Sequence, residues 1–176
     1  ANPQFHSQAA SVILNEVIGR KASSLNGAQE VFGRQADYVL ANPNGISVNG
    51  ASFINTPNAS LVVGRPELDN GALLALHTAA GGQLSVQEQG LDNRDGVINL
   101  IAPQVDSQGA ISARDTLNLT VGSNRVDAGS GQVSPVHGPA SPAGERIDAN
   151  LFGAMKAGRI NIVSTAEGAG VRMGAV

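Results

Sequence analysis

Ile98-Asn99-Leu100-Ile101 is answered by Leu117-Asn118-Leu119-Thr120, with Leu100 and Leu119 19 residues apart at the middle of each run. In both, an asparagine stands between two aliphatic residues, so a strand would send the aliphatics to one face and the amide to the other. A third run, Ile160-Asn161-Ile162-Val163, repeats the pattern after a long interruption. A repeat of roughly 20 residues has the length of one turn of a β-solenoid. In a parallel β-helix the turns stack about 4.8 Å apart, so equivalent inward positions form aliphatic columns while the asparagines point outward or join a polar ladder. Each Leu, Ile or Val buried in such a column contributes roughly 1.5 to 3 kcal/mol.

Working outward, short alternating runs of strand length recur at Ser11–Leu14, Asp37–Leu40, Ile46–Val48, Ala59–Val63, Leu73–Leu76, Leu84–Val86, Val97–Ile101, Ile111–Ala113, Leu117–Val121 and Ile160–Val163. Turn-rich pieces separate them, among them Gly81-Gly82, Asn93-Arg94-Asp95-Gly96 and Gln108-Gly109. Such connections are too short for crossover helices, which leaves an all-β sandwich, a barrel or a solenoid. The repeat favours the parallel β-helix. Asn44-Gly45 and Asn49-Gly50 are the hairpin signals that a sandwich would use. Between Gly122 and Gly158 the pattern lapses: Pro135, Pro139, Pro142 and Gly129-Ser130-Gly131 replace the aliphatics until Leu151-Phe152. This segment reads as a long excursion from the solenoid, closing with a short helix over Asp148–Lys156 capped by Asp148, before the repeat resumes at Ile160.

Composition agrees with a layered core. The 176 residues fit one domain, 1–176, of which 41% are hydrophobic but only 3% aromatic, with no Trp. The core is therefore built of aliphatic side chains of similar size, which suits repeated layers. Only 14% of residues are charged, the net charge is −3, and Lys and Arg form no cluster, which argues against a nucleic-acid partner. The absence of Cys excludes a disulfide framework and thiolate chemistry. No run approaches the roughly 18 apolar residues of a membrane helix, and residue 1 does not open a signal peptide, so an export signal is expected upstream.

Signs of catalysis are sparse. His6, His77 and His137 are isolated in sequence and have no metal-ligand spacing, so solvated or loop positions are expected and no metal site is assigned. Asp92-Asn93-Arg94-Asp95-Gly96 lacks the alternating ligands and final Glu of a calcium-binding loop and reads as a polar turn. Gly168-Ala169-Gly170-Val171-Arg172-Met173-Gly174 does not fit a dinucleotide fingerprint. A β-helical polysaccharide lyase would need carboxylates or basic residues gathered on one face, whereas Glu30, Asp37, Glu67, Asp69, Glu88, Asp92, Asp95, Asp106 and Asp115 are dispersed. A carbohydrate- or host-binding adhesin is the other alternative, although Tyr38 and four Phe make a thin aromatic platform. Asn58-Ala59-Ser60 and Asn118-Leu119-Thr120 fit a glycosylation pattern that arises often by chance. No enzyme is expected.

The most distinctive words are Asn42-Pro43-Asn44-Gly45-Ile46 and, around it, Ala10–Val17, Ser24-Leu25-Asn26-Gly27, Phe53-Ile54-Asn55-Thr56-Pro57 and Ile162–Val171. Physically, Asn-Pro-Asn-Gly is a turn: Pro43 fixes φ, Asn44 or Gly45 accepts positive φ, and Asn42 can bond the backbone two residues on. In order and spacing these words resemble the secretion domain of two-partner secretion exoproteins, the family of filamentous haemagglutinin, related haemolysins and contact-dependent growth inhibition toxins. Asn2-Pro3-Gln4-Phe5 sits where that family carries an earlier motif, with Gln4 and Phe5 in place of its Asn and Leu.

The resemblance implies a right-handed parallel β-helix with an extra-helical β element. It implies export through the periplasm to the surface of a Gram-negative bacterium or beyond, by a cognate outer-membrane TpsB-type transporter whose periplasmic POTRA domains recognise this domain. It implies templated folding of a downstream adhesin or contact-dependent toxin outside the cell, with no cofactor and no small-molecule substrate. Asn42, Pro43, Asn44, Gly45, Ile46, Asn2 and Pro3 then either contact the transporter or only set the fold. Family members carry a further segment ahead of the earlier motif that caps the solenoid, so an N-terminal segment or a neighbouring chain is expected over that end.

Overall fold

A computed structural model describes residues 9–79, 81–136, 149–165 and 170–174. The chain winds through three parallel sheets. The first contains β1 (Val12–Glu16), β4 (Asp37–Ala41), β7 (Asn58–Val62), β12 (Val97–Ala102), β15 (Thr116–Val121) and β20 (Arg159–Ser164), in that order. The second contains β2 (Ser23–Leu25), β5 (Ile46–Val48), β10 (Gln83–Val86), β13 (Gln104–Ser107), β18 (Ala149–Leu151) and β21 (Val171–Met173). The third contains β3 (Ala28–Glu30), β6 (Ala51–Ile54), β11 (Leu91–Asn93), β14 (Ile111–Ala113) and β19 (Met155–Lys156). Each circuit visits the three sheets in turn, which makes the molecule a parallel β-helix. All ten strand-length runs of the sequence fall on strands.

The repeat that selects the solenoid is its register. Leu100 lies beside Leu119, and Leu119 beside Ile162, on adjacent parallel strands. Leu100 and Leu119 enter one core with Leu61, Leu84, Ile98, Ile111 and Leu117, all essentially inaccessible to solvent, and Ile162 packs against it partly buried. The asparagines between them face outward and form a ladder. Asn118 Nδ2 donates to Asn99 Oδ1 at 2.8 Å and Asn161 Nδ2 to Asn118 Oδ1 at 2.8 Å. At the start of the ladder Asn99 Nδ2 donates to Ser60 Oγ at 3.0 Å. Near the amino-terminal end Tyr38 and Phe53 pack their rings 5.4 Å apart.

A fourth sheet lies outside the helix and is antiparallel, in the order β17 (Val133–Pro135), β16 (Asn124–Asp127), β9 (Ala72–Thr78), β8 (Gly64–Asp69). Two excursions supply it, one after β7 and one after β15. Leu76 and Val126 on it cover Val39, Ala41, Val62 and Ile101, the outward apolar residues of the first sheet. On its other face Glu67 accepts hydrogen bonds from His77 Nε2 at 2.7 Å and Arg125 Nε at 3.0 Å, which hold the carboxyl below the usual carboxylate range. His77 is thus a half-exposed residue, partly solvated as expected, but it sits on a strand and not in a loop.

The stacking also settles the two hairpin-like signals and overturns the expected helix. Asn44-Gly45 and Asn49-Gly50 are not hairpin turns: each is a corner at which the chain passes from one parallel sheet to the next. The one tight two-residue hairpin turn among the described residues is Asn70-Gly71, where φ is 49° and 83°, as a turn matched to strand twist requires. The helix expected over Asp148–Lys156 is absent: Asp148 lies outside the described residues, and 149–151 and 155–156 are strands. Ala149 and Leu151 point into the core with Asn150 outward, a period of two that stacks on Val105–Ser107. The excursion therefore ends before Ala149, a full two strands earlier than the expected return at Ile160.

The core and the ladder are predicted to contribute unequally. Leu100→Ala removes a side chain closed in on all sides and should cost about 2 to 5 kcal/mol in urea denaturation. Asn118→Ala, which breaks two ladder bonds at a partly solvated surface, should cost nearer about 1 kcal/mol.

Candidate functional site: the Asn42–Ile46 corner

The corner between β4 and β5 carries the Asn-Pro-Asn-Gly-Ile word. Locally it is an Asx-type turn: Asn42 Oδ1 accepts from the backbone N–H of Asn44 at 2.9 Å and from Asn44 Nδ2 at 2.9 Å. Gly45 closes the turn at φ 117°, a conformation that disfavours a side chain. The same construction recurs seven strands later, between β11 and β12, in Asn93-Arg94-Asp95-Gly96, where Asn93 Oδ1 accepts from Asp95 N–H at 3.0 Å. Asn42 and Asn93 are both fully buried. An Asx turn with an inward amide is therefore a general corner device of this solenoid.

As the Asn93 amide reaches the Thr56 carbonyl of the coil before it, the amide nitrogen of Asn42 reaches into its own preceding coil. Nδ2 donates to the Lys21 carbonyl at 2.9 Å and to Ser23 Oγ at 2.8 Å, both in the preceding coil. Asn44 Nδ2 donates in addition to the Gly19 carbonyl at 2.9 Å. Together the two side chains pin residues 19–23 to the coil above them. On the far side the corner is roofed by Gly82-Gln83. A Cβ at Gly82 would lie 2.3 Å from Val63 Cγ1 and 2.9 Å from the Pro43 carbonyl oxygen. Ile46 is buried between Ser23 and Leu84, its neighbours on the adjacent strands.

Burial thus divides the motif. Asn42, Gly45 and Ile46 are enclosed, Pro43 is half-buried and Asn44 is exposed. Only the last two, with the 17–22 loop they hold, present surface at this corner. Asn2 and Pro3, the other sequence-chosen residues, lie outside the described residues.

The sequence reading missed Asn55. Its amide nitrogen donates to the carbonyls of Val31 at 2.8 Å and Gly33 at 2.8 Å, which ties the 31–33 loop down as Asn44 ties Gly19. It adopts φ 60°, and its own N–H is held by Asp95. The available signal was the position of Asn55 between a strand and Pro57, where asparagine tolerates the left-handed region.

No group of three or more His, Asp or Glu side chains placed to hold a metal occurs among the described residues. One shallow depression is bordered by Asp92, Arg94, Arg114 and Lys156, but Arg94 is engaged by Asp92 at 3.0 Å and Arg114 by Asp115 at 3.0 Å. The hydrogen-bond pattern predicts different costs along the corner. Asn42→Ala removes a fully buried amide and leaves the partly buried Asn44 N–H and Lys21 carbonyl without it, and should lower stability by about 2 kcal/mol. Asn44→Ala, at an exposed position, should cost less than about 1 kcal/mol in the same urea titration.

Comparison with known proteins places this architecture. A family model described as the TPS secretion domain matches residues 4–175. The chain is 45% identical to a hemolysin of Serratia marcescens over 98% of its own length and 11% of that protein's. It is 40% identical to a tRNA nuclease CdiA of Yersinia mollaretii over 99% of its length and 6% of the relative's. Its fold matches the crystal structure of the filamentous hemagglutinin secretion domain with a TM-score of 0.71 at 23% identity, over 93% of this chain and 75% of the other. The chain thus spans about a tenth or less of the curated relatives it matches, and it belongs to the TPS secretion domain family.

Proposed function

We propose that this domain is the export-recognition segment of a large exoprotein, read in the periplasm by the POTRA domains of a cognate outer-membrane TpsB-type transporter. The observation that carries this reading is the family match over residues 4–175 in a chain only a small fraction as long as its relatives. Once outside a Gram-negative cell, the domain serves as the first folded coils on which a passenger continues. The passenger is an adhesin or a toxin of the hemolysin or CdiA kind. The nuclease in the relatives' names belongs to passenger sequence beyond the segment matched here, and the domain itself catalyses nothing.

In this reading the Asn42–Ile46 corner acts on secretion through the fold. Three of its five residues are enclosed, and the side-chain polar groups of Asn42 are spent inside the protein, Oδ1 on its own turn and Nδ2 on the preceding coil. What the transporter meets is the shape that the corner imposes on the first coils, together with the 17–22 loop.

The test is export of an epitope-tagged exoprotein fragment containing this domain and its native upstream region, with and without the partner barrel. Appearance in the medium should require the partner. Across substitutions at Asn42, Pro43 and Asn44 it should fall in step with the melting temperature of the purified domain, so that Asn42→Ala is exported least. A variant that melts with the parent and is nonetheless retained would show direct contact in place of a structural role. Partner-independent release would overturn the export reading altogether.

A further inference from the structure

The asparagine ladder has a direction and an unfinished end. Along the outward middle column of the first sheet stand Leu14, Val39, Ser60, Asn99, Asn118 and Asn161, one per strand from β1 to β20. Every amide donates to the residue before it: Asn99 to Ser60, Asn118 to Asn99, Asn161 to Asn118. Asn161 Oδ1 is therefore the acceptor left over, and no described residue donates to it.

The same strand leaves its core column open. Ile160 and Ile162 continue the inward series of Leu117 and Leu119, yet Ile160 is 40% exposed where Leu117 and Leu119 are 1% exposed. Val163, next to the fully formed outward column of Ile101 and Thr120, is 37% exposed.

We infer that the β20 edge is a selective acceptor for one parallel strand of the pattern aliphatic–amide–aliphatic, its amide donating to Asn161 Oδ1 and its aliphatics closing over Ile160 and Ile162. An amide fits better than a hydroxyl because it donates backward while keeping its own oxygen for the coil after it. A second copy of this domain does not fit. Stacked head to tail in register, its β1 would bring Leu14 to Asn161, Val12 to Arg159 and Glu16 to Val163, with no donor for the ladder. The occupant is a strand of the polypeptide that follows this domain, given that the matched segment makes up only 11% of the Serratia hemolysin. This rests on the templating part of the proposed function, and it adds the chemistry by which the template selects its first new coil.

The experiment extends the chain by a copy of its own residues Ile111–Val121 placed directly after Val176. Gly174–Val176 match in number the residues 108–110 that join β13 to β14. Three versions are compared: the copied Asn118 retained, Asn118→Leu in the copy, and Asn118→Asp in the copy. Hydrogen exchange is followed at the backbone amides of Arg159–Ser164, and mass is measured against concentration. The amide version should slow exchange in β20 about tenfold or more relative to the unextended chain, as a monomer, while the Leu and Asp versions leave it within about threefold.

Equal protection by the Leu version would overturn the amide selection and leave only apolar burial. Absence of protection in all three would overturn strand acceptance at this edge. Protection accompanied by concentration-dependent mass would make the occupant a second copy and overturn it as well. None of these results involves the transporter, so failure here leaves the export reading standing.

Discussion

Parallel pairing at constant register is the constraint on which everything else in this molecule depends. A β-strand hydrogen-bonds only sideways, so a coil can be stabilised only by the coil before and the coil after it, and every side chain is repeated at the spacing of the strands. Once Leu100 must sit over Leu119 and Leu119 over Ile162, the residues between them are forced outward and into line. Asparagine suits that outward position because one amide can donate down the column and accept from above. The dearth of aromatics follows from the same stacking, since layers of equal thickness require side chains of similar size.

The corners are the weak points of such a design, because the backbone leaves one sheet before it enters the next and its polar groups lose their regular partners. Here buried asparagines stand in for the missing bonds. Asn93 serves Thr56 and Val97 carbonyls, Asn124 serves Val121, and Asn42 reaches into the preceding coil. At the Asn-Pro-Asn-Gly-Ile corner both Asn42 and Asn44 make that reach, so three side-chain bonds join the corner to its predecessor while it also closes itself. The extra-helical sheet solves a different problem, covering outward aliphatics at Val39, Val62 and Ile101 that would otherwise face water.

Much of this was legible in the sequence, because the deciding signal was a repeat in place of a propensity. The 19-residue return of the asparagine between aliphatics gave both the solenoid and the pairing partners. The corner residues could be named but their function was ambiguous, since Asn-Gly favours positive φ whether the chain reverses or merely bends. Asn44-Gly45 and Asn49-Gly50 bend, and Asn70-Gly71 reverses. What separates them is which neighbouring coil is present to pair, and a dipeptide carries no record of that. The return of the chain at Ala149 was hidden for a related reason. Ala149-Asn150-Leu151 is too short to show its period, and residues whose strand partners, Val105 and Ser107, lie far back in the chain resemble a helix start when read alone.

The most direct measurement is disulfide formation between cysteines placed on the outward column, in a chain that has no cysteine of its own. Neighbouring strands about 4.8 Å apart fall within the Cα separation a disulfide spans, and strands two apart, at about 9.6 Å, fall outside it. Asn99→Cys paired with Asn118→Cys should close completely under mild oxidation in the folded chain and open on denaturation with reductant, while Ser60→Cys with Asn118→Cys should stay reduced. Closure of the second pair, or failure of the first in a folded chain, would contradict the in-register parallel stack from which the corner, the ladder and the open β20 edge all follow.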